Sequence, residues 1–436
     1  MLPGRAVPQA ECRRMASLPL QLPTLQNWSC HNCAGCCRQH LIEITEAERA
    51  RILAQGWTTA EELPPGPPVV WFAGWPWKKR YRLAHRPDGG CVFLDERGLC
   101  RIHARFGEAA KPLACRVYPY AFHPHGKSVA VSLRYSCPSV VGNRGQPVPR
   151  QRAELQRLAS EVVPPGADRI PPPLIARRHQ VTWKQFDALV EPFDRILAKE
   201  RLPLLLRLLQ LLAYANLLAE ARFDKLDDRQ ISEFVDLVTG AIAAEFQTAP
   251  ERMDEPSAVG RLYFRLFAAQ YARKDTVATA EAGWRGRWQL FRAILRFSRG
   301  TGEAPPLQDV FRPVPFADLE RPHGPLPSGA VELFTRYLRV KVLGLHFCGP
   351  AFYGFPVVDG WHSLALMVPI TLWLARWLAR SAQRQVLELA DIEHALALAD
   401  HHHGYNEALG QPHARRRIRQ LAESGDLARL LVWYAR

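Results

Sequence analysis

"SCHNCAGCCRQH", residues 29–40, places four thiols, Cys30, Cys33, Cys36 and Cys37, between His31 and His40. A C-x2-C step brings two sulfurs to one side of a turn whose amides can also point at the thiolates, so its first step reads as a chelate. Cys36 and Cys37 are adjacent. Consecutive side chains diverge by about 100° on a helix and oppose in a strand, which predicts that these two do not serve one tetrahedral site. Cys33 can share a face with either, at i+3 or i+4. Free thiols titrate near pH 8.5, so a crowd of thiolates is stable only around a cation.

Working outward, eight of the ten cysteines lie between residues 30 and 137, the further four being Cys91, Cys100, Cys115 and Cys137. "CVFLDERGLCRIH" (91–103) reads as a β-hairpin turning at Asp95-Glu96-Arg97-Gly98, with Cys91 and Cys100 on opposite arms. "KPLACRVYPY" (111–120) and "SCP" (136–138) supply the last two sulfurs, so four segments are expected to converge. Cys30, Cys33, Cys91 and Cys115 are placed first as ligands, with Cys36, Cys37, Cys100 and Cys137 as a second site or spare donors. Arg38, Arg101 and Arg116, each next to a cysteine, can moderate the charge of thiolate ligands. Disulfides are disfavoured by clustering and compartment, and scattered core thiols explain neither the C-x2-C steps nor the adjacent pair. Zinc and iron–sulfur both accept all-thiolate ligation, and the spacing leaves both open. The C-x3-C-x2-C loop of radical chemistry would need a third cysteine where His40 stands.

At 436 residues the chain can bury a core without covalent staples. Its proline-broken N-terminus offers no apolar signal region, and the expected compartment is the reducing cytoplasm, with Met15 as an alternative start. Cys12 and Cys348 stand apart from the cluster. Two apolar runs, 202–220 and 361–380, resemble membrane spans. The first carries Arg207, and the second holds fifteen uncharged residues before Arg376, with Pro369 inside. Both fall short of the roughly 20 residues a span needs, so buried core helices are expected and no transmembrane segment. The net charge of +15 suits acidic partners, but no aromatic–basic alternation marks a nucleic-acid surface, and none is expected to bind.

The organisation follows from composition. Residues 1–27 read as an N-terminal extension and 28–141 as a cysteine-cluster metal-binding domain. That domain contains a Pro/Trp-rich insertion at 62–83, a packed loop or edge hairpin. Residues 142–180 form a proline-rich linker around one short helix, "RQRAELQRLASEV". Residues 181–436 are a helical domain. "TWKQFDALVEPFDRILAKE" opens it with Thr182 as N-cap, Gln185 three residues on, and Phe186, Leu189, Val190 and Phe193 at helical spacing. Helical periodicity recurs from "DRQISEFVDLVTGAIAAEF" through "RRRIRQLAESGDLARLLVWYA". The fold class is α+β, mostly helical: a small irregular cysteine-rich domain in front of an α-helical one.

"CHNCAGCC", "CVFLDERGLCRIHARF", "KPLACRVYPY" and the later cysteine together resemble the YkgJ-type cysteine-cluster family of zinc- or iron-chelating CxxCxxCC domains. That resemblance covers about residues 28–140 and implies a metal centre on its cysteines; His103 stands where the family usually has an aromatic. At full length, with "YLRVKVLGLHF", "PAFYG" and "ADHHHGYNEAL", the chain is similar to flagellin lysine-N-methylases. This longer resemblance implies an iron–sulfur cluster, 4Fe-4S ahead of zinc, and S-adenosylmethionine-dependent methylation of surface lysines on a protein substrate. No Gly-rich methyl-donor loop accompanies it, since "RGTGEAP" (299–305) is a lone G-x-G in a turn. The alternative is a non-catalytic metal-handling module with a helical partner-docking domain. Within 393–407, His394, His401, His402 and His403 with Glu393, Asp400 and Glu407 offer a second metal or proton-transfer site, or a solvated capping cluster. "FCGPAFYGFP" (347–356), with Tyr337 and Trp361, offers either a lysine channel or loop packing.

Overall fold

Caps and apolar spacing dictate helices beyond residue 180, and the computed structural model forms them. The structure describes residues 18–436 apart from 58–62, 65, 74, 76–78, 178–179, 249, 251–252 and 275–282, so Cys12 and Met15 lie outside the described residues. The helix Trp183–Leu197 begins where expected. Thr182 Oγ1 accepts the Gln185 N–H at 3.3 Å, and Gln185 Oε1 accepts the Thr182 N–H at 3.0 Å. This reciprocal box satisfies two amides that no preceding turn can serve. Phe186, Leu189, Val190 and Phe193 are all buried along its inner face. Asp227 and Gln230 repeat the device at the start of Asp228–Glu245.

Ala258–Ala272, Gly283–Arg299, Ala330–Leu343 and Leu389–His402 follow as the periodicity requires. The C-terminal stretch forms two helices, Pro412–Glu423 and Asp426–Tyr434. Gly425 separates them at φ 73°, a left-handed conformation that ends an α-helix and that glycine adopts without a Cβ penalty.

Both long apolar runs are core helices, Leu204–Glu220 and Val357–Ser381. The second is long and apolar enough to cross a membrane, yet every residue of its most apolar window is buried inside the fold. Trp361, Trp373 and Trp377 fill its surroundings. Its buried Arg376 is accommodated because the guanidinium donates to the Tyr434 and Arg436 carbonyls, each at 2.9 Å, and lies over the Tyr434 ring at 5.0 Å.

The N-terminal third divides between two cores. A small one gathers Ile44, Ile52, Leu83, Cys91, Val92, Phe93 and Ile102. It lies by a sheet in which β3 (Glu43–Ile44) and β4 (Val69–Ala73) flank β5 (Arg80–Leu83); β4 and β5 make the expected edge hairpin. The hairpin of β6 (Tyr120–His125) and β7 (Ser128–Leu133) belongs instead to the main helical core. There β7 packs against Ala330–Leu343 so closely that a Cβ on Gly344 would fall 2.4 Å from Ser132 Cβ. The hydrophobic core thus divides between Ile102 and Tyr120, inside the span 28–141 outlined from composition.

Residues 142–180 are not a loose connection either. Val148, Leu155, Leu158, Ala159, Val163 and Ile175 join the main core, and the expected short helix is Arg152–Val162. The reason is its apolar stripe at positions 155, 158 and 159, which has to be covered. Part of the N-terminal extension is likewise built in. β1 (Leu20–Gln21) pairs in parallel with β7, and β2 (Asn27–Trp28) pairs with β8 (Gln146–Pro147). Gln26, fully buried, accepts the Tyr135 hydroxyl at 2.7 Å and donates to the Val140 carbonyl at 3.0 Å.

Candidate metal centre

The cysteine loop is shaped by backbone before sulfur. Asn32 and Ala34 both adopt φ 57°, turning the chain so that a short helix, Gly35–Gln39, carries Cys36 and Cys37. The Cys91 N–H donates to the Cys37 carbonyl at 2.8 Å, tying the next cysteine segment to this helix. Asp95 then turns the chain. Its Oδ1 accepts the Arg97 and Leu99 N–H groups at 3.0 and 2.7 Å, and Gly98 supplies φ 80°. The expected hairpin shortens to a single bridge between Leu94 and Cys100, because the chain enters the helix Arg101–Phe106 directly after Cys100. Cys115 rides on Leu113–Val117, whose first N–H donates to Glu48 Oε1 at 2.7 Å. Cys137 caps Pro138–Val141, beside the end of β7.

These elements sort the eight cysteines into groups. Cys36, Cys91, Cys100 and Cys115 lie near enough to one another at the small core to interact electrostatically, and Cys37 packs on the same core beside Cys36. Burial pushes the Cys91 thiol up to about 12, with Cys100 and Cys36 adding their repulsion. Burial also raises Cys115, reinforced by Cys91, Cys100 and Cys36. The hydrogen bond with Cys37, then burial, raises Cys36. Apart from these, Cys137 is raised by burial and by Cys33. The Cys33 sulfur lies beside Pro138: a Cβ on Gly35 would meet Cys33 Sγ at 3.4 Å and Pro138 Cδ at 3.6 Å. Cys30 is exposed, its Sγ 3.7 Å from Asn32 Oδ1. Every cysteine among the described residues is a free thiol.

The adjacent pair corrects one expectation. Cys36 Sγ and Cys37 Sγ are 3.9 Å apart, although their Cα–Cβ bonds diverge along the helix. Each sulfur sits one rotatable bond further out, and rotation about Cα–Cβ brings the two back together. With metal–sulfur bonds of about 2.3 Å, the edge of a tetrahedral thiolate site is about 3.8 Å, so this spacing fits one edge. As the side chains stand, no three His, Cys, Asp or Glu groups among the described residues are placed to hold one ion. The donor chemistry fits a thiophilic metal nonetheless, since buried thiols that raise one another's pKa are relieved by a cation that takes them as thiolates.

The neighbouring cations differ from those expected. Arg38 pairs with Asp88 at 3.6 Å, and Arg116 is engaged by Glu161. Lys111 opposes the rise of Cys36 and Cys115, and Arg86 opposes that of Cys91. Nothing in the spacing marked Lys111, four residues from Cys115 across a short helical turn.

The histidine-rich stretch is neither solvated nor gathered into one site. His394 is exposed, whereas Asp400, His402 and His403 are buried. Asp400 Oδ1 pairs with Lys341 Nζ at 2.7 Å, with both side chains fully buried. Lys341 also reaches His346 Nδ1 at 3.2 Å, and Tyr271 bonds His403 Nδ1 at 2.9 Å. His401 stacks on His40, ring centroids 4.8 Å apart, so the cysteine loop abuts this polar core. Tyr337 and Trp361 are fully buried against Tyr135 and Phe193, each pair 4.9 Å apart, which is packing and not a lysine channel. "RGTGEAP" is the turn it was read as, with Gly300 and Gly302 at φ 65° and 72°.

With this geometry in place, comparison with known proteins locates the domain. Residues 29–138 match the CxxCxxCC family, described as "Putative zinc- or iron-chelating domain". The flagellar biosynthetic protein FliU of Salmonella muenchen is 38% identical over 52 residues, which are 12% of this chain and 31% of FliU. The match thus spans less than a third of that relative's length. No solved structure matches. Residues 29–138, the span that holds Cys36, Cys37, Cys91, Cys100 and Cys115, are thus the part of the chain that matches the CxxCxxCC family.

Proposed function

We propose that Cys36, Cys37, Cys91, Cys100 and Cys115 supply the thiolates of a metal centre, with a [4Fe-4S] cluster as its occupant and zinc as the alternative. The observation that supports this reading is the proximity of the free thiols Cys36, Cys91, Cys100 and Cys115, with Cys37 beside Cys36, drawn from three segments of the chain. When bound, such a centre supplies structural cross-linking and, for iron–sulfur, one-electron chemistry. The chain's own contribution is to collect the thiols, bury Cys91, partly cover Cys115, and set Lys111 and Arg86 against the accumulated negative charge. The similarity to FliU extends the proposal to protein-lysine N-methylation with S-adenosylmethionine in the cytoplasm. A second reading, a non-catalytic metal module that docks a partner, is favoured by Gly283–Arg299. That helix leaves Trp284, Trp288, Phe291 and Leu295 exposed along one side.

Anaerobic purification of the full chain with iron, zinc and sulfide analysis tests the centre. We expect stoichiometric metal that is lost in Cys91→Ser and Cys115→Ser and retained in Cys348→Ser, and a broad absorption near roughly 400 nm if the centre is iron–sulfur. Metal-free protein from oxygen-free preparation, or full loading of Cys91→Ser, refutes it. Transfer of labelled methyl groups to lysines of a candidate protein substrate tests the enzyme reading separately.

A further inference from the structure

A second feature lies in the helical domain, and none of the proposed thiolate ligands borders it. A cleft of about 660 Å³ opens where the N-terminus of Val357–Ser381 meets the C-terminal ends of Leu204–Glu220 and Pro412–Glu423. That volume lies within the range of small-molecule sites. His362 lines it with only 4% of its surface exposed, and neither ring nitrogen has a hydrogen-bond partner. Burial holds this imidazole neutral, with its pKa near 4. One buried donor and one buried acceptor on the same ring are therefore left open at the floor of the cleft, where a ligand can reach them.

The charges around His362 define what would complete it. Asp359, one turn earlier, accepts Arg419 Nε and Nη2 at 2.8 and 2.6 Å and Arg415 Nε at 2.7 Å. Two guanidiniums on one carboxylate leave an excess positive charge on this wall. Arg177 and Arg222 on the rim are exposed and have no carboxylate partner among the described residues. The acids Asp224 and Glu423 also stand on the rim. Among the lining residues Arg177, Arg222 and Arg419 match Asp224, Asp359 and Glu423, and Arg415, which reaches Asp359 from outside the lining, tips the balance to a net charge of one, too small for a polyphosphate and suited to a single anionic group. The long helix directs its positive end into the same cleft.

We infer that this cleft binds a small organic anion with one charged group, its carboxylate or phosphate on Arg177 and Arg222, and a ring that bonds His362 at the floor. Asp359 is a positioning residue, since it orients Arg419 toward the cleft. Nothing in this assignment depends on the metal centre or on methyl transfer.

Calorimetric titration and thermal melting of the purified full chain test it, with AMP and nicotinate as ring-bearing anions and adenosine and nicotinamide as their uncharged counterparts. At least one anion is expected to bind and raise the melting temperature, about tenfold or more tighter than its neutral counterpart. Which anion does so separates a phosphate from a carboxylate ligand. Arg177→Gln/Arg222→Gln, at exposed positions that leave folding intact, is expected to weaken that binding about tenfold or more. His362→Gln is expected to weaken the ring-bearing anion while leaving the weak effect of inorganic phosphate unchanged. The inference is overturned if neither anion outbinds its counterpart, or if the double arginine variant binds as tightly as the parent.

Discussion

Replacing Lys341 by methionine probes the contact that ties the end of β7 and the turn after it to the helices Ala330–Leu343 and Leu389–His402. Lys341 Nζ and Asp400 Oδ1 lie 2.7 Å apart with neither side chain exposed. Lys341 further donates to the Leu133 carbonyl at 3.3 Å, while Asp400 Oδ2 accepts the Ser136 N–H at 3.1 Å. Burial depresses the pKa of the Lys341 ammonium, and its contact with Asp400 opposes that depression. In Lys341→Met the Asp400 carboxylate keeps a single backbone donor in a dry site, an imbalance that costs about 3–5 kcal/mol. Asp400→Asn alone leaves the ammonium uncompensated at a comparable cost. The double variant Lys341→Met/Asp400→Asn removes both charges while retaining an acceptor for Ser136, so it is expected to cost about 1–2 kcal/mol. The coupling is then at least about 4 kcal/mol. Urea denaturation of the four proteins at one pH and one metal content gives the cycle. Costs of the two single variants that sum to the double within about 0.5 kcal/mol would refute charge compensation as what holds this junction.

Other expectations follow from single contacts. Thr182→Ala removes the box that opens Trp183–Leu197 and is expected to lower stability by about 1 kcal/mol, read from the denaturation midpoint. Gly360→Ala places a Cβ 1.9 Å from the Phe347 carbonyl oxygen, a backbone clash in the most buried helix. It is expected to cost about 3 kcal/mol or more and to reduce soluble yield, whereas Gly240→Ala, which meets nothing, should be neutral or slightly stabilising. Burial pushes the Asp359 carboxyl up, but Arg419 and Arg415 override it and hold its pKa below the ordinary value. Its folded-state pKa is depressed, so the stability it adds is fully present above about pH 4 and is lost as pH falls through the lower folded value. The stability difference between the parent and Asp359→Asn should therefore shrink below about pH 4, and a difference that stays constant from pH 6 to pH 2 would count against the arginine clamp.

Legibility differed between the two halves for a physical reason. Helix caps and apolar periodicity are local. Thr182 with Gln185, and the stripe at 186, 189, 190 and 193, announce a helix whatever surrounds them, and the helix starts at the residue they indicate. The Asp95–Gly98 turn is local as well and stands at the residues expected, whereas the C-x2-C spacing did not by itself tell which sulfurs meet. What spacing misjudged was longer in range. The tight packing of β7 on Ala330–Leu343 draws the β6–β7 hairpin out of the small core, and the apolar face of Arg152–Val162 pulls a proline-rich segment into the large one.

By itself the sequence determined that thiols would be concentrated in the first third and that a capped, mostly helical domain would follow, because both are written in near neighbours. Only the tertiary structure decided which thiols meet. Cys36 comes near Cys91, Cys100 and Cys115, with Cys37 beside it, while Cys33 lies toward Cys137, since side-chain rotation and backbone ties such as that of Cys91 to Cys37 depend on the packed chain. The tertiary structure likewise joined Lys341 to Asp400 and left His362 unpartnered at the floor of a cleft. Charge pairing across 59 residues, or the lack of it, is a property of three-dimensional proximity and leaves no periodic trace in the chain.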